Sequence, residues 1–351
     1  MGKKYLLDCT LRDGGYLNNW GFGEKTIWEV TEKLAKANVD VIEVGFLRDE
    51  ENQKDRSVWN SPCAVMKDIP SRQKNVIYAA MVEIGNPLPL EKIPPRSAET
   101  VDVIRVIIWG SKLQESFDYC KGIAEKGYGV SIQVERTNQY SDEEFHALTR
   151  KFGEMHPFSL YVVDSNGVMC QRRILEYLKI ADEELPHDTI LGYHGHNNRL
   201  QTVGAAESFV ELGLKRDIII DGSIRGIGRS SGNLHTELFA EYMNEYWSTS
   251  YDIPTMLEIY QEYIDPIYQK TPWGFSMETF ITARHICNSA YADFFTNDYP
   301  LTLREMDGVI SLFTDRDRVV KNKNALPDYI AQYKAMETEN AHDDKREENK
   351  I

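Results

Sequence analysis

Short runs rich in Val and Ile alternate along the chain with segments whose apolar residues recur at helical spacing, the pattern of parallel strands buried on both faces and joined by amphipathic crossovers. Eight runs are predicted as strands, at 5–9, 39–46, 75–82, 101–109, 130–135, 160–164, 190–196 and 218–220. The segment 25–37 shows the intervening pattern, with Ile27, Val30, Leu34 and Ala37 on one stripe, and Ser141 followed by Glu144 is a capping box that opens another helix. Eight βα units with right-handed crossovers can close into a barrel, whereas an open doubly wound sheet usually carries fewer and a glycine fingerprint after its first strand. Gly14-Gly15 is not that fingerprint. The predicted fold is an α/β chain, a (β/α)8 TIM barrel over 1–250. Beyond it the strand signal fades, and helical patterns at 256–268, 278–290, 303–313 and 328–336 predict a C-terminal helical extension over 251–337. The almost wholly polar 338–351 is expected to be a disordered tail.

The length of 351 residues leaves about 100 beyond the roughly 250 a single barrel needs. Forty Lys and Arg against fifty-five Asp and Glu give a net charge of −15, with no basic stripe for phosphate backbones, so nucleic acid is not an expected partner. Five cysteines, Cys9, Cys63, Cys120, Cys170 and Cys287, lie far apart with no C-x-x-C pair, which suggests neither a disulfide frame nor a zinc knuckle and fits a reducing cytoplasm. The start reaches Asp8 after three apolar residues, so no signal-peptide core is expected, and no apolar run is long enough to predict a membrane span.

In a barrel of this kind the active face is built at the C-terminal ends of the strands. The polar residues there are Arg12, Asp13, Glu43, Glu83, Glu135, Asp164, His194 and His196. His194 and His196 are two apart on one strand and so point to the same side, either as two ligands of one metal or as a hydrogen-bonded structural pair. Asp13, ending a strand one removed from theirs in a closed barrel, favours the metal. Two imidazoles and a carboxylate leave coordination positions open and suit Mn²⁺ or Mg²⁺, while Zn²⁺ or Fe²⁺ also fits. Such a cation can polarise the carbonyl of a 2-oxo acid and stabilise the enolate formed when a C–C bond breaks. Arg12 offers a permanent charge to the developing oxyanion, or else an ion pair to Glu43. The loop 221–233 is rich in glycine and hydroxyls, either a cradle of backbone N–H groups for an anionic ligand or a bare flexible loop.

Leu7-Asp-Cys-Thr-Leu-Arg-Asp-Gly14, Ile42-Glu-Val-Gly-Phe46, His194-Gly-His-Asn-Asn198 and Gly226-Ile-Gly-Arg-Ser-Ser-Gly-Asn233, in that order, resemble the metal-dependent pyruvate aldolase and lyase superfamily. It includes 4-hydroxy-2-oxovalerate aldolase, 3-hydroxy-3-methylglutaryl-CoA lyase and 2-isopropylmalate synthase. The resemblance implies an oxyanion-stabilising Arg12 and metal ligands Asp13, His194, His196 and Asn233. Asp164, Ser165, Gly226 and Gly228 are expected to bind substrate. Val162-Val-Asp-Ser165 and the His motif are nearer to the hydroxy-oxovalerate aldolases, where a base His stands four residues after the Arg. Here that position is Tyr16, a poor base at its ordinary pKa of about 10, so Tyr16 or Glu43 is left to move the proton.

The function these residues imply is a divalent-metal-dependent carbon–carbon lyase acting on a 4-hydroxy-2-oxo acid through the enolate of pyruvate. Two alternatives stay open: a Claisen-type acyl-CoA transferase, and a non-catalytic barrel that keeps the metal site. The resemblance also implies an acyl-forming aldehyde dehydrogenase as partner. A barrel with an added helical region is expected to form a homo-oligomer.

Overall fold

Eight parallel strands close on themselves in a computed structural model that describes residues 2–348, with side chains described up to 339. They are β1 (Lys4–Asp8), β2 (Val41–Leu47), β3 (Ile77–Glu83), β4 (Val103–Ile108), β5 (Gly129–Val134), β6 (Ser159–Asp164), β7 (Ile190–Gly195) and β8 (Ile218–Gly222). Each pairs with the next, and β8 and β2 both pair with β1, which completes the ring. This is a TIM barrel, with all eight expected strands in place. A two-residue strand, Val58–Trp59, is added beside the end of β2.

Leu7, Val41, Ala79, Val103, Tyr161 and Ile219 come from six different strands and pack in one buried cluster, which is possible only inside the barrel. By the period of two, Glu43, Arg105 and Asp221 also face inward, further along β2, β4 and β8. All three are at most 2 % exposed, so the interior is apolar toward the strand starts and ionic toward their C-terminal ends.

The helices of this unit are α1 (Glu24–Lys36), α2 (Pro62–Asp68), α3 (Leu113–Glu125), α4 (Asp142–Gly153), α5 (Gln171–Glu184), α6 (Thr202–Glu211) and α7 (Thr236–Trp247). The capping box read at Ser141 and Glu144 opens α4. The alternation fails once. Between β3 and β4 there is only a 3-10 turn, Leu90–Lys92, because Pro87, Pro89, Pro94 and Pro95 remove helix donors and clash with preceding turns.

Contacts divide the chain into Met1–Gly274 and Phe275–Ile351, which moves the expected boundary at 250 to 274. The reason is a helix with a π turn at its centre, α8 (Ile253–Ile259), Tyr260–Ile264 and α9 (Asp265–Tyr268). It packs on the barrel, where Lys33 of α1 meets Glu258 at 2.8 Å and the Asp252 N–H donates to the Ala37 carbonyl.

The second unit consists of α10 (Met277–Arg284), α11 (Ala290–Asn297), α12 (Leu303–Ser311), α13 (Asp315–Val319) and α14 (Leu326–Glu348). Tyr291, Phe295, Met306, Val309, Ile310 and Phe313 form its core. The helix expected over 278–290 stops at Arg284. Ile286 takes φ +54° and the Cys287 N–H reaches back to the Thr282 carbonyl, a helix-ending turn that no glycine marks in the sequence. The stretch expected to be disordered, 338–351, is instead helical as far as Glu348, since its Ala, Glu and Lys residues favour helix even without an apolar stripe; 349–351 lie outside the described residues. Among the described residues no helix is long and apolar enough to cross a membrane.

Candidate active site

Asp13 ends a one-turn helix, Thr10–Asp13, at the top of β1. Buried Asp8 fixes that turn, accepting from the Thr10 N–H at 2.9 Å and from the Thr236 hydroxyl of α7 at 2.7 Å; burial pushes its carboxyl up to about 6. Trp20 Nε1 holds the Arg12 carbonyl at 2.7 Å. The turn therefore offers Arg12 and Asp13 to the barrel mouth in a fixed pose.

His194 and His196 leave β7 on the same side, ring centroids 5.2 Å apart, as the period of two requires. Ligand atoms of Asp13, His194 and His196 all lie within 4.8 Å of one another, and all three residues are buried. His194 Nδ1 is 3.0 Å from Asp221 Oδ2, and His196 Nδ1 is 3.2 Å from the Asp164 carbonyl. Both partners are acceptors, so each Nδ1 carries the proton and each Nε2 presents a lone pair. His196 Nε2 is buried, 3.3 Å from Asp13 Oδ2, and makes no hydrogen bond. A lone pair facing a carboxylate at that distance needs a positive charge between them, and a divalent cation meets that need. Burial lowers the His194 pKa, which keeps the ring neutral and ligating. Burial works to raise the Asp13 carboxyl, but the adjacent Arg12 guanidinium opposes it, and the carboxyl is held well below the usual carboxylate range.

The HMGL-like family model matches residues 102–262, from the start of β4 through α8, a stretch that contains both histidines and Asn233. That stretch of the barrel is similar to the HMGL-like family. A 4-hydroxy-2-oxovalerate aldolase of Rhodococcus jostii is 24 % identical over 274 residues, covering 76 % of this chain and 75 % of its own. An oxaloacetate decarboxylase of Mycobacterium tuberculosis is 23 % identical over 243 residues, 66 % of this chain and 67 % of its own. The HMG-CoA lyase of Brucella melitensis has the same fold, with a TM-score of 0.61 at 15 % identity over 77 % of this chain and all of its own.

In this barrel the cluster sits in a cavity of about 80 Å³ lined by Arg12, Asp13, Tyr16, Ser165, His194 and His196 on the expected side, and by Glu83 and Glu135 among the other strand-end acids. Glu43 is not in the lining. It lies behind Arg12, whose Nε donates to Glu43 Oε2 at 2.7 Å while its Nη1 meets Asp13 Oδ1 at 2.5 Å. The two readings of Arg12 are thus compatible: the ion pair to Glu43 aims the guanidinium at the cavity.

Asn233 Nδ2 donates to Asp13 Oδ2 at 2.6 Å and to the Ile227 carbonyl at 3.0 Å, and its buried Oδ1 makes no hydrogen bond. It thus lies against the metal-side carboxylate. Gly228, expected to bind substrate, makes room for that contact: a Cβ there would sit 2.3 Å from Asn233 Nδ2 and 2.6 Å from Asp13 Oδ2. Gly226, at φ +62°, turns the chain so that its carbonyl accepts from the Asn233 N–H, and it too lies outside the cavity lining. Asp164 also lies outside the lining. Its carboxylate is taken by the Val168 and Met169 N–H groups, each at 2.9 Å, so it ties the loop after β6 rather than a ligand.

The structure adds residues that the sequence reading passed over. Arg105, inside β4, bridges Glu43 at 2.9 Å, Gln133 Oε1 at 3.1 Å and, more closely still, Asp221, the partner of His194. The signal was available as a charge inside Val103-Ile-Arg-Val-Ile-Ile108, where a strand buried on both faces has no solvent for it. Gln133 and Arg229 also line the cavity.

The metal-side loop is clamped from outside the ring of strands. The Arg225 guanidinium lies 3.6 Å from the Tyr268 ring centroid, with Tyr260 and Trp273 at 5.7 and 5.6 Å, and Trp273 Nε1 holds the Arg225 carbonyl at 3.0 Å. Tyr268→Ala is expected to weaken Mn²⁺ affinity about tenfold through the loop that carries Asn233, with Tyr268→Phe close to wild type. Titration of Mn²⁺ followed by electron paramagnetic resonance checks this, and unchanged affinity in the Ala variant would mean that the clamp serves the fold alone.

Proposed function

We propose that the protein is a divalent-metal-dependent lyase that cleaves, or in reverse forms, the C3–C4 bond of a 4-hydroxy-2-oxo acid through the enolate of pyruvate. The observation that carries the reading is the convergence of Asp13, His194 and His196 beside the Arg12 guanidinium in one cavity. A divalent cation held there supplies Lewis acidity to the ketone of a 2-oxo acid. In the cleavage direction the C4 hydroxyl gives up its proton and its oxygen forms the aldehyde double bond. The C3–C4 pair becomes the C2=C3 double bond, charge collects on the C2 oxygen, and the proton lost from the C4 hydroxyl to cavity water is balanced by one taken from water at C3, which completes pyruvate. Arg12 faces the charge on that oxygen already oriented by two carboxylates, so little reorganisation is needed as it develops.

Glu43 is a positioning residue in this scheme, since its Oε2 is engaged by both Arg12 and Arg105. Tyr16 reaches the cavity, but burial pushes its hydroxyl up to about 12, with Arg12 only partly opposing, so it suits donating a hydrogen bond rather than taking a proton. The relative that is an oxaloacetate decarboxylase favours a second reading of the same site, because loss of CO₂ from oxaloacetate leaves the same enolate.

The test is pyruvate release, coupled to lactate dehydrogenase, from oxaloacetate and a panel of 4-hydroxy-2-oxo acids with Mn²⁺ or Mg²⁺. Metal-dependent release is expected, and silence across the panel with metal bound would sink the reading. Tyr16→Phe is expected to keep the rate within about tenfold; a loss of roughly 100-fold or more would make Tyr16 a proton-transfer group after all.

A further inference from the structure

The ring order places β3, β4 and β5 across the barrel from β7, β8 and β1. The wall that faces the metal cluster is therefore Met81 and Glu83 of β3, Ile107 of β4, Gln133 of β5 and Glu135 just beyond it. On the proposed reaction, the oxo-acid end of the substrate is fixed by Arg12 and the Asp-His-His cluster. The carbons from C4 onward then extend toward this far wall.

That wall is not the apolar surface a simple alkyl aldehyde would want. The Glu83 carboxylate lines the cavity partly buried, and among the described residues it has neither a hydrogen bond nor an ion pair. Glu135 sits with it at the rim, 3.1 Å from Arg136 Nε, its proton affinity raised by burial first and by Glu83 as well, with Arg136 opposing. A carboxylate open to the cavity and without a protein donor is free to accept from a ligand, and it returns more from a donor than a neutral acceptor does.

We infer that the aldehyde half of the substrate carries hydrogen-bond donors, hydroxyl or ammonium groups, received by Glu83 with Glu135 beside it. The inference rests on the proposed aldol reading and names the substrate class of that site. Met81 and Ile107 pack against the carbon chain between the reacting centre and those donors, and an aldehyde ending in a carboxylate meets repulsion from Glu83.

Two measurements on the full-length, Mn²⁺-loaded protein separate the inference from the reading beneath it. The first is exchange of the pyruvate methyl protons with D₂O, followed by NMR with no aldehyde present; absence of exchange removes both. The second is the rate of pyruvate addition to glyceraldehyde, 3-aminopropanal, propanal and succinic semialdehyde. Wild type is expected to favour glyceraldehyde or 3-aminopropanal over propanal by at least about tenfold in kcat/KM, with succinic semialdehyde the poorest. Glu83→Leu, checked for folding by circular dichroism and melting, is expected to lose that preference and use propanal at least as well. Glu83→Gln keeps an acceptor without charge, so it should retain a preference resting on hydroxyls and lose one resting on ammonium. Exchange with no preference in wild type, or a preference untouched in Glu83→Leu, overturns the inference. So does uniform slowing of every aldehyde in Glu83→Leu, which would assign the residue to proton transfer.

Discussion

His194→Ala is expected to weaken divalent-metal binding by more than about 100-fold and to bring enolate formation to background. It removes one of two neutral imidazole donors, a larger loss than the 10- to 100-fold that follows removal of an outer partner. The comparison that gives the number meaning is Asp221→Asn. That change leaves an acceptor for His194 Nδ1 but removes the charge that burial opposes and Arg105 and His194 stabilise, so an intermediate loss is expected. Isothermal titration with Mn²⁺ and methyl-proton exchange of pyruvate read the two effects separately. Wild-type Mn²⁺ affinity in His194→Ala would show that the cation binds elsewhere, and would remove the basis for placing Arg12 beside it.

Arg105→Met carries the largest expected effect on stability. Arg105 is 1 % exposed and neutralises Glu43 and Asp221 together. Its removal leaves Asp221 and part of the Glu43 charge uncompensated in the barrel interior, a loss of about 3–5 kcal/mol. Equilibrium urea unfolding measures it; a loss under about 1 kcal/mol would mean that Arg12 and His194 already suffice to hold the two acids. Adding Asp221→Asn to Arg105→Met is expected to recover part of the stability, since the cost lies in the stranded charge rather than in the missing side chain. The cation–π contact of Arg105 with Tyr161, 4.7 Å to the ring centroid, is a smaller contribution that this second change would not restore.

The eight strands were legible because strands buried on both faces read as continuous apolar runs, and the pairing of His194 with His196 was legible because a strand alternates its side chains with a fixed period. Asp13 could be grouped with them from ring order alone, and the family motifs carried Arg12 and Asn233. Other features follow from no local pattern. The helix ending at Ile286 depends on a left-handed residue that is not glycine, and the helix 253–268 belongs with the barrel only because its side chains meet α1 and the loop at Arg225. That Gly226, Gly228 and Asp164 hold the loops around the cavity was visible only in their contacts.

What the sequence determined by itself was the barrel, the residue types of its candidate metal site and the end at which they stand, because periodicity and strand ends are properties of the chain. What only the tertiary structure decided was which charges meet across the interior. Arg105 and Asp221 are 116 residues apart and on opposite sides of the ring, and Glu83 faces the metal cluster across the same cavity. Their encounter exists only once the sheet has closed and water has left, and in that low-dielectric interior the partner of each charge determines what it does.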